Sequence, residues 1–237
     1  MIKHATACLL AGILLAAAVC AGAESHADSN RSFSAGDVIA FGRYEQDGNP
    51  DNGPEPVDWI VLDTAEEKVL LLSRLCLETR KFHHEKVTVR WDECDLRAWM
   101  NSEMLETLFS EPEQAALLET QLQALRHPRF HTDPGGDTVD RLFLLSYQEA
   151  EMYFPEKTDR MAYATPYAVS QGAFQNGKTG TCGWWTRTTG HSPDDECRIS
   201  SEGKFVNYAV NYRKDTVRPA LWARSEILRE ILPDPCE

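Results

Sequence analysis

Apolar and polar positions along the chain switch period twice, from strand-like to helix-like and back. Over Pro56 to Asp63 the alternation is strict: Val57, Trp59 and Val61 share one face, and Ile60 and Leu62 the other. Both faces are apolar, so this strand is covered on two sides. A polar turn at Thr64 to Glu67 leads into the apolar run Val69 to Leu72, and residues 57–73 read as a central β-hairpin. Upstream, Gly36 to Gly42 is a short β-rich run. The stretch from Gln46 to Pro56 follows it, with the Asp-Gly, Asn-Pro and Asn-Gly pairs of turns.

The middle of the chain changes to helical spacing. Leu96, Trp99 and Met100 recur three and four residues apart. Ser110-Glu111-Pro112-Glu113 is a capping box with proline in the first turn, predicting a helix to about Leu125. A second box, Ser146-Tyr147-Gln148-Glu149, follows the apolar strand Leu142 to Leu145. Thr165-Pro166 opens a further short helix that Gly172 closes. From Thr181 onward the pattern is again that of strands: Cys182 to Arg187, Cys197 to Ser200, Lys204 to Val210 and Thr216 to Trp222. Strands, then helices, then strands predict an α+β domain over residues 35–224, with a short tail helix in 225–237.

One segment stands outside that pattern. Ala5 to Ala23 is a continuous apolar run after Lys3 and His4, ending in Ala21-Gly22-Ala23, small residues at both positions that a signal peptidase reads. We expect a cleaved secretory signal over 1–23, then a polar spacer over 24–34, and a secreted or extracytoplasmic protein. An uncleaved anchor is the competing reading, but Gly12 interrupts an already short core. Lipidation at Cys20 fits poorly, because the branched Val19 stands where a small residue should precede the cysteine. No second run approaches membrane length. The 237 residues carry 24 Lys and Arg against 37 Asp and Glu, a formal net charge of -13, which argues against nucleic acid and anionic membranes as partners.

Export changes how the cysteines read. Beyond the signal lie Cys76, Cys94, Cys182, Cys197 and Cys236, an odd number in a compartment that permits disulfides. Cys182 and Cys197 flank two nearby strands and form the favoured pair, with buried reduced thiols as the alternative. No Cys-x-x-Cys spacing asks for zinc or thioredoxin-type chemistry.

Several segments in order carry a resemblance: Gly36 to Asp47, Val57 to Asp63, Leu70 to Ser73, Asp95-Leu96-Arg97-Ala98-Trp99-Met100-Asn101, Phe143 to Ser146, Gly183-Trp184-Trp185-Thr186-Arg187 and Val217-Arg218-Pro219-Ala220-Leu221. Together they resemble a bacterial domain of unknown function common in secreted and surface proteins of clostridia and their relatives. That family in turn is distantly similar to the C-type-lectin-like fold of formylglycine-generating enzymes. The resemblance implies a compact mixed domain acting as a binding or surface-interaction module, with a metal-dependent oxidase as the alternative. The family's Trp-Trp-Leu-Arg-Ser-Pro-Gly reads Trp184-Trp185-Thr186-Arg187-Thr188-Thr189-Gly190 here, so the loop after Arg187 lacks its proline.

The candidate chemistry is then limited. An oxidase of that kind needs two cysteines converging in an open cleft, and Cys182 has no close sequence neighbour. His83-His84-Glu85 does not have the spacing of an iron-binding histidine triad, since adjacent side chains on a strand point to opposite faces, and its plainer reading is a solvated loop. His127 and His131 have the spacing of one helix face, but Pro128 and the Asp133-Pro134-Gly135-Gly136 turn make this a loop. Asp133, Asp137 and Asp140 around two glycines form an oxygen-donor loop of the kind calcium accepts, with an acidic surface loop as the plainer reading. No serine-hydrolase elbow, phosphate loop or dinucleotide fingerprint occurs. The remaining constellation is aromatic. Trp185, Arg187, His191, Asn211 and Tyr212 near one end of the C-terminal strands would suit a carbohydrate or a peptide, with core packing as the alternative. On the ligand reading Trp185 and Tyr212 are dispensable for folding, whereas Trp59 belongs to the core.

Overall fold

A computed structural model describes residues 31–232, and in it the terminal strands of the domain meet in one sheet. β1 (Val38–Tyr44), β2 (Glu55–Ala65) and β3 (Lys68–Ser73) are followed by the short β4 (Glu78–Thr79). A 3-10 turn at Trp91–Glu93 leads into α1 (Asp95–Trp99), a π-turn at Met100–Met104 and α2 (Leu105–Leu108). Then come α3 (Glu111–Gln114), the small antiparallel pair β5 (Thr120–Leu122) and β6 (Thr138–Asp140), α4 (Tyr147–Tyr153), α5 (Lys157–Arg160) and α6 (Pro166–Ser170). The C-terminal part is β7 (Trp184–Thr189), β8 (Asp195–Ile199), β9 (Phe205–Ala209), β10 (Thr216–Val217), β11 (Ala220–Arg224) and α7 (Ser225–Ile231). The result is a mixed α and β architecture dominated by two sheets, of order β1-β2-β3-β11 and β4-β10-β7-β8-β9.

The predicted hairpin is the spine of the first sheet. Ile60 pairs with Leu72 and Val61 with Leu71, while Ala220 of β11 pairs Leu72 from the other side. Trp59, with no exposed surface, donates its indole N–H to Phe41 O at 2.6 Å and stacks on Phe109, so its assignment to the core holds. The chain passes from the second sheet to the first at Arg218-Pro219. There the buried Arg218 guanidinium donates to Ser73 O at 3.0 Å, tying the crossover to the end of β3. Gly42 has φ +68, and a Cβ there would lie 2.6 Å from Leu108 O, so the approach of α2 to β1 requires glycine.

Both capping boxes form, at Ser110 with Glu113 and at Ser146 with Glu149, and Thr165 caps α6. The helix expected to run from Ser110 to about Leu125 stops at Gln114, however. Leu118 N–H donates to Trp222 O at 2.8 Å and Leu117 bridges Ala223, so the chain is drawn onto the edge of β11 instead. Leu142 to Leu145, expected as a strand, is buried but forms no ladder: Phe143 bridges Ala220 of the first sheet, and Leu145 O accepts the Arg187 N–H of the second at 3.1 Å. The expected strand from Thr216 to Trp222 is two strands in different sheets. Residues 1–23 and most of the 24–34 spacer lie outside the described residues. Among the described residues no helix is long and apolar enough to cross a membrane.

Candidate functional site

The Trp-Trp-x-Arg segment is β7, the central strand of the second sheet, and all six of its residues are buried. Alternation sends Trp184 and Trp185 to opposite faces as expected, but neither face is open. Trp184 donates to Arg160 O at 3.0 Å. Trp185, 0% exposed, donates to Arg80 O at 2.9 Å and packs 5.9 Å from Phe82. The segment carrying Phe82 and Trp91 covers the face that the pattern left free. Trp185 is therefore a core residue, and its proposed contact with a ligand is corrected accordingly.

Arg187 is likewise internal. Its guanidinium donates to Leu144 O at 2.7 Å and to both carboxylate oxygens of Glu149, the residue that closes the capping box of α4. Burial pushes the Glu149 carboxyl up, but the hydrogen bonds and charge of Arg187, aided by Ser146, more than offset this and hold it below the usual range. Arg187 thus braces β7 to α4, with both terminal nitrogens engaged by Leu144 O and the Glu149 carboxylate.

The other three residues of the predicted set remain accessible. His191 is exposed in the β7–β8 loop, with Phe130 edge-on at 5.0 Å. Asn211 and Tyr212 are half-buried just beyond β9. Both segments meet at one end of the sheet, where Gly190 N–H donates to Asp195 O and Val210 N–H to Asp194 O. Tyr208, on the edge strand β9, completes the surface: it is 42% exposed, and its ring lies 4.8 Å from that of Tyr212. Arg198 lies against both rings, 4.4 Å from Tyr208 and 5.6 Å from Tyr212, and is itself ion-paired to the buried Asp215. Burial raises the Asp215 carboxyl to about 6, with Arg198 opposing. In the sequence Tyr208 stands with Tyr212 and Trp222 among the aromatic residues of the C-terminal strands.

The three aspartates of the predicted calcium loop do not converge. Asp133 pairs with Arg90 at 2.6 Å, and Asp137 accepts the Ala124 N–H at 2.8 Å. Asp140 is buried and accepts from Trp91, Thr138 and Arg97 at 2.9, 2.8 and 2.7 Å. Each carboxylate is consumed by a different partner, so no shared cation position exists among Asp133, Asp137 and Asp140. His127 and His131 do not pair either, because the His127 ring turns back to accept the Arg129 and Phe130 N–H groups.

The cysteines pair differently from expectation. Cys182 and Cys197 are not cross-strand partners, since the β7–β8 register sets Trp184 opposite Ile199. All four described cysteines are free thiols. Cys182 instead lies beside Cys76: Ala162 bridges Cys182 and Ala164 bridges Cys76, while Cys182 Sγ sits 3.5 Å from Ala162 O and 3.6 Å from Thr216 Oγ1. The neighbouring Cys76 thiol and burial push the Cys182 thiol up. Burial likewise pushes Cys197 up to about 12. Both members of the Cys76–Cys182 pair are fully enclosed, so the open cleft that an oxidase needs does not form around them.

One buried acid is unpaired. Glu196 on β8 is wholly buried, and neither carboxylate oxygen has a hydrogen-bond partner. Desolvation raises its pKa well above the ordinary range.

A family model described as "Domain of unknown function (DUF6273)" matches residues 66–225, more than half of the chain. The chain belongs to this family. The DUF6273 match spans β7, the tyrosine pair and the crossover at Arg218, but begins after β2. No curated protein and no solved structure matches the chain.

Proposed function

We propose that this DUF6273 protein is an exported or surface-displayed binding module that takes a carbohydrate or a peptide on the tyrosine end of its second sheet. The observation that carries the reading is the Tyr208–Tyr212 pair held against the ion-paired Arg198. An aromatic platform fixed from beneath loses little further freedom when a ligand stacks on it, and amide and guanidinium donors at its rim, from Asn211 and Arg213, supply directional hydrogen bonds. His191 extends the same end. The apolar run Ala5 to Ala23 supports export. A C-type-lectin-like architecture is part of the proposal, supported by the first and last strands lying in one sheet beside a second sheet. The test is a glycan and peptide array probed with the full chain. Saturable retention of a saccharide or peptide supports the reading, and retention of neither class contradicts it.

A further inference from the structure

We propose a divalent transition-metal site of the zinc class at His83, His84 and Asp95, beside the tyrosine end of the second sheet. Adjacent histidines on a regular strand would diverge, but residues 82–84 form an irregular loop folded against the start of α1. The two imidazole rings lie 4.5 Å apart, and the Asp95 carboxylate reaches both: Oδ2 is 2.5 Å from His84 Nδ1 and 3.2 Å from His83 Nδ1. One donor atom from each of the three residues therefore falls within 4.8 Å of the others.

The donors are placed by backbone contacts. Leu96 N–H donates to Phe82 O at 3.1 Å, and His84 N–H to Asp95 Oδ2 at 2.8 Å. Asp95 N–H reaches His83 Nδ1 at 3.4 Å, and Lys81 Nζ holds His84 O at 3.0 Å. The loop and the helix start are thus laced together around the three side chains, and zinc would take the His83 Nδ1 lone pair from the Asp95 N–H and part Asp95 Oδ2 from His84 Nδ1. Two imidazoles and one carboxylate favour zinc, nickel or copper over calcium, which takes oxygen donors alone. Glu85 Oε1, 3.9 Å from His84 Nε2, adds negative charge beside that ring. Among the described residues a second grouping, Glu45, Asp47 and Glu55, is purely carboxylate, a donor set with no preference for zinc.

Three protein donors leave a coordination position open. His83 N–H donates to Val210 O at 2.9 Å, and Val210 stands between Tyr208 and Tyr212, so the site lies at their end of the sheet. The inference does not depend on the binding reading above, because it rests on the donors alone.

The experiment titrates the untagged full chain with zinc ions against a chromophoric chelator, with thermal melts confirming folding. Parent protein is expected to withdraw one equivalent of zinc. His84→Ala, at an exposed position, should weaken binding at least tenfold without shifting the melt, as should Asp95→Asn, while His131→Ala keeps parental affinity. Absence of zinc binding by the parent overturns the proposal, and so does parental affinity in His84→Ala.

Discussion

Replacing Trp185 with alanine separates a core role for the Trp-Trp-x-Arg strand from a ligand-binding one. The side chain has no exposed surface, packs against Phe82, and its indole N–H satisfies Arg80 O. Truncating a buried tryptophan costs roughly 3–5 kcal/mol through lost transfer energy and the cavity left behind. The carbonyl stranded at Arg80 places the cost at the upper end, about 5 kcal/mol. For a domain of this size each kcal/mol moves the melting temperature by about 2–4 °C, so Trp185→Ala should melt about 10–20 °C below the parent. Tyr208→Ala is the counterpart. Its ring is 42% exposed, and its loss should cost below ~1 kcal/mol. Thermal melts followed by circular dichroism, with urea titrations to check that the slope is unchanged, compare the two. Melting of Trp185→Ala within a few degrees of the parent would refute the reasoning.

The remaining expectations concern single groups. Glu196 has a raised pKa when folded, so its contribution to stability is complete below the ordinary carboxylate value and is lost as pH rises through the folded value. Glu196→Gln should therefore melt increasingly above the parent between pH 4 and pH 8, and a pH-independent difference would sink the assignment. Gly42→Ala forces a left-handed residue against Leu108 O and should destabilise by about 1–3 kcal/mol, measurable as a lower urea midpoint; an unchanged midpoint would show that α2 can retreat. On refolding with glutathione disulfide, exchange that releases two glutathione thiols per bond should join Cys76 to Cys182, because the Ala162–Ala164 segment bridges to both residues and sets them side by side. Peptide mapping that instead found Cys182 joined to Cys197 would contradict the register of β7 and β8.

What the sequence made legible was local. The 57–73 hairpin, both capping boxes and the Thr165-Pro166 helix start each depend on residues within a few positions of one another, and each forms. What it hid depends on distant chain. Alternation separates Trp184 from Trp185 but cannot say that the Phe82 and Trp91 segment covers the second face. The Ser110 helix ends early because β11, a hundred residues later, captures Leu118. Arg187 looked like a ligand donor because its partner, Glu149, was legible only as half of a capping box. His83 and His84 looked divergent because strand geometry was assumed for what is a folded loop, and Asp95 completes them from another element. The calcium loop failed for the opposite reason: three nearby aspartates share a sequence neighbourhood but are drawn to Arg90, Ala124 and Arg97 separately.

In the proposed function the exposed tyrosines of the second sheet form the ligand surface while the tryptophans beside them only hold it up. The most direct test is the affinity of the tightest array ligand for Tyr208→Ala, set beside Met152→Ala, which alters a more exposed apolar side chain on α4. Loss of an aromatic anchor that costs over ~1 kcal/mol lowers affinity by about fivefold or more. The account predicts that loss for Tyr208→Ala and parental affinity for Met152→Ala, with both variants folded. Parental affinity in Tyr208→Ala, or an equal loss in the two variants, would contradict it.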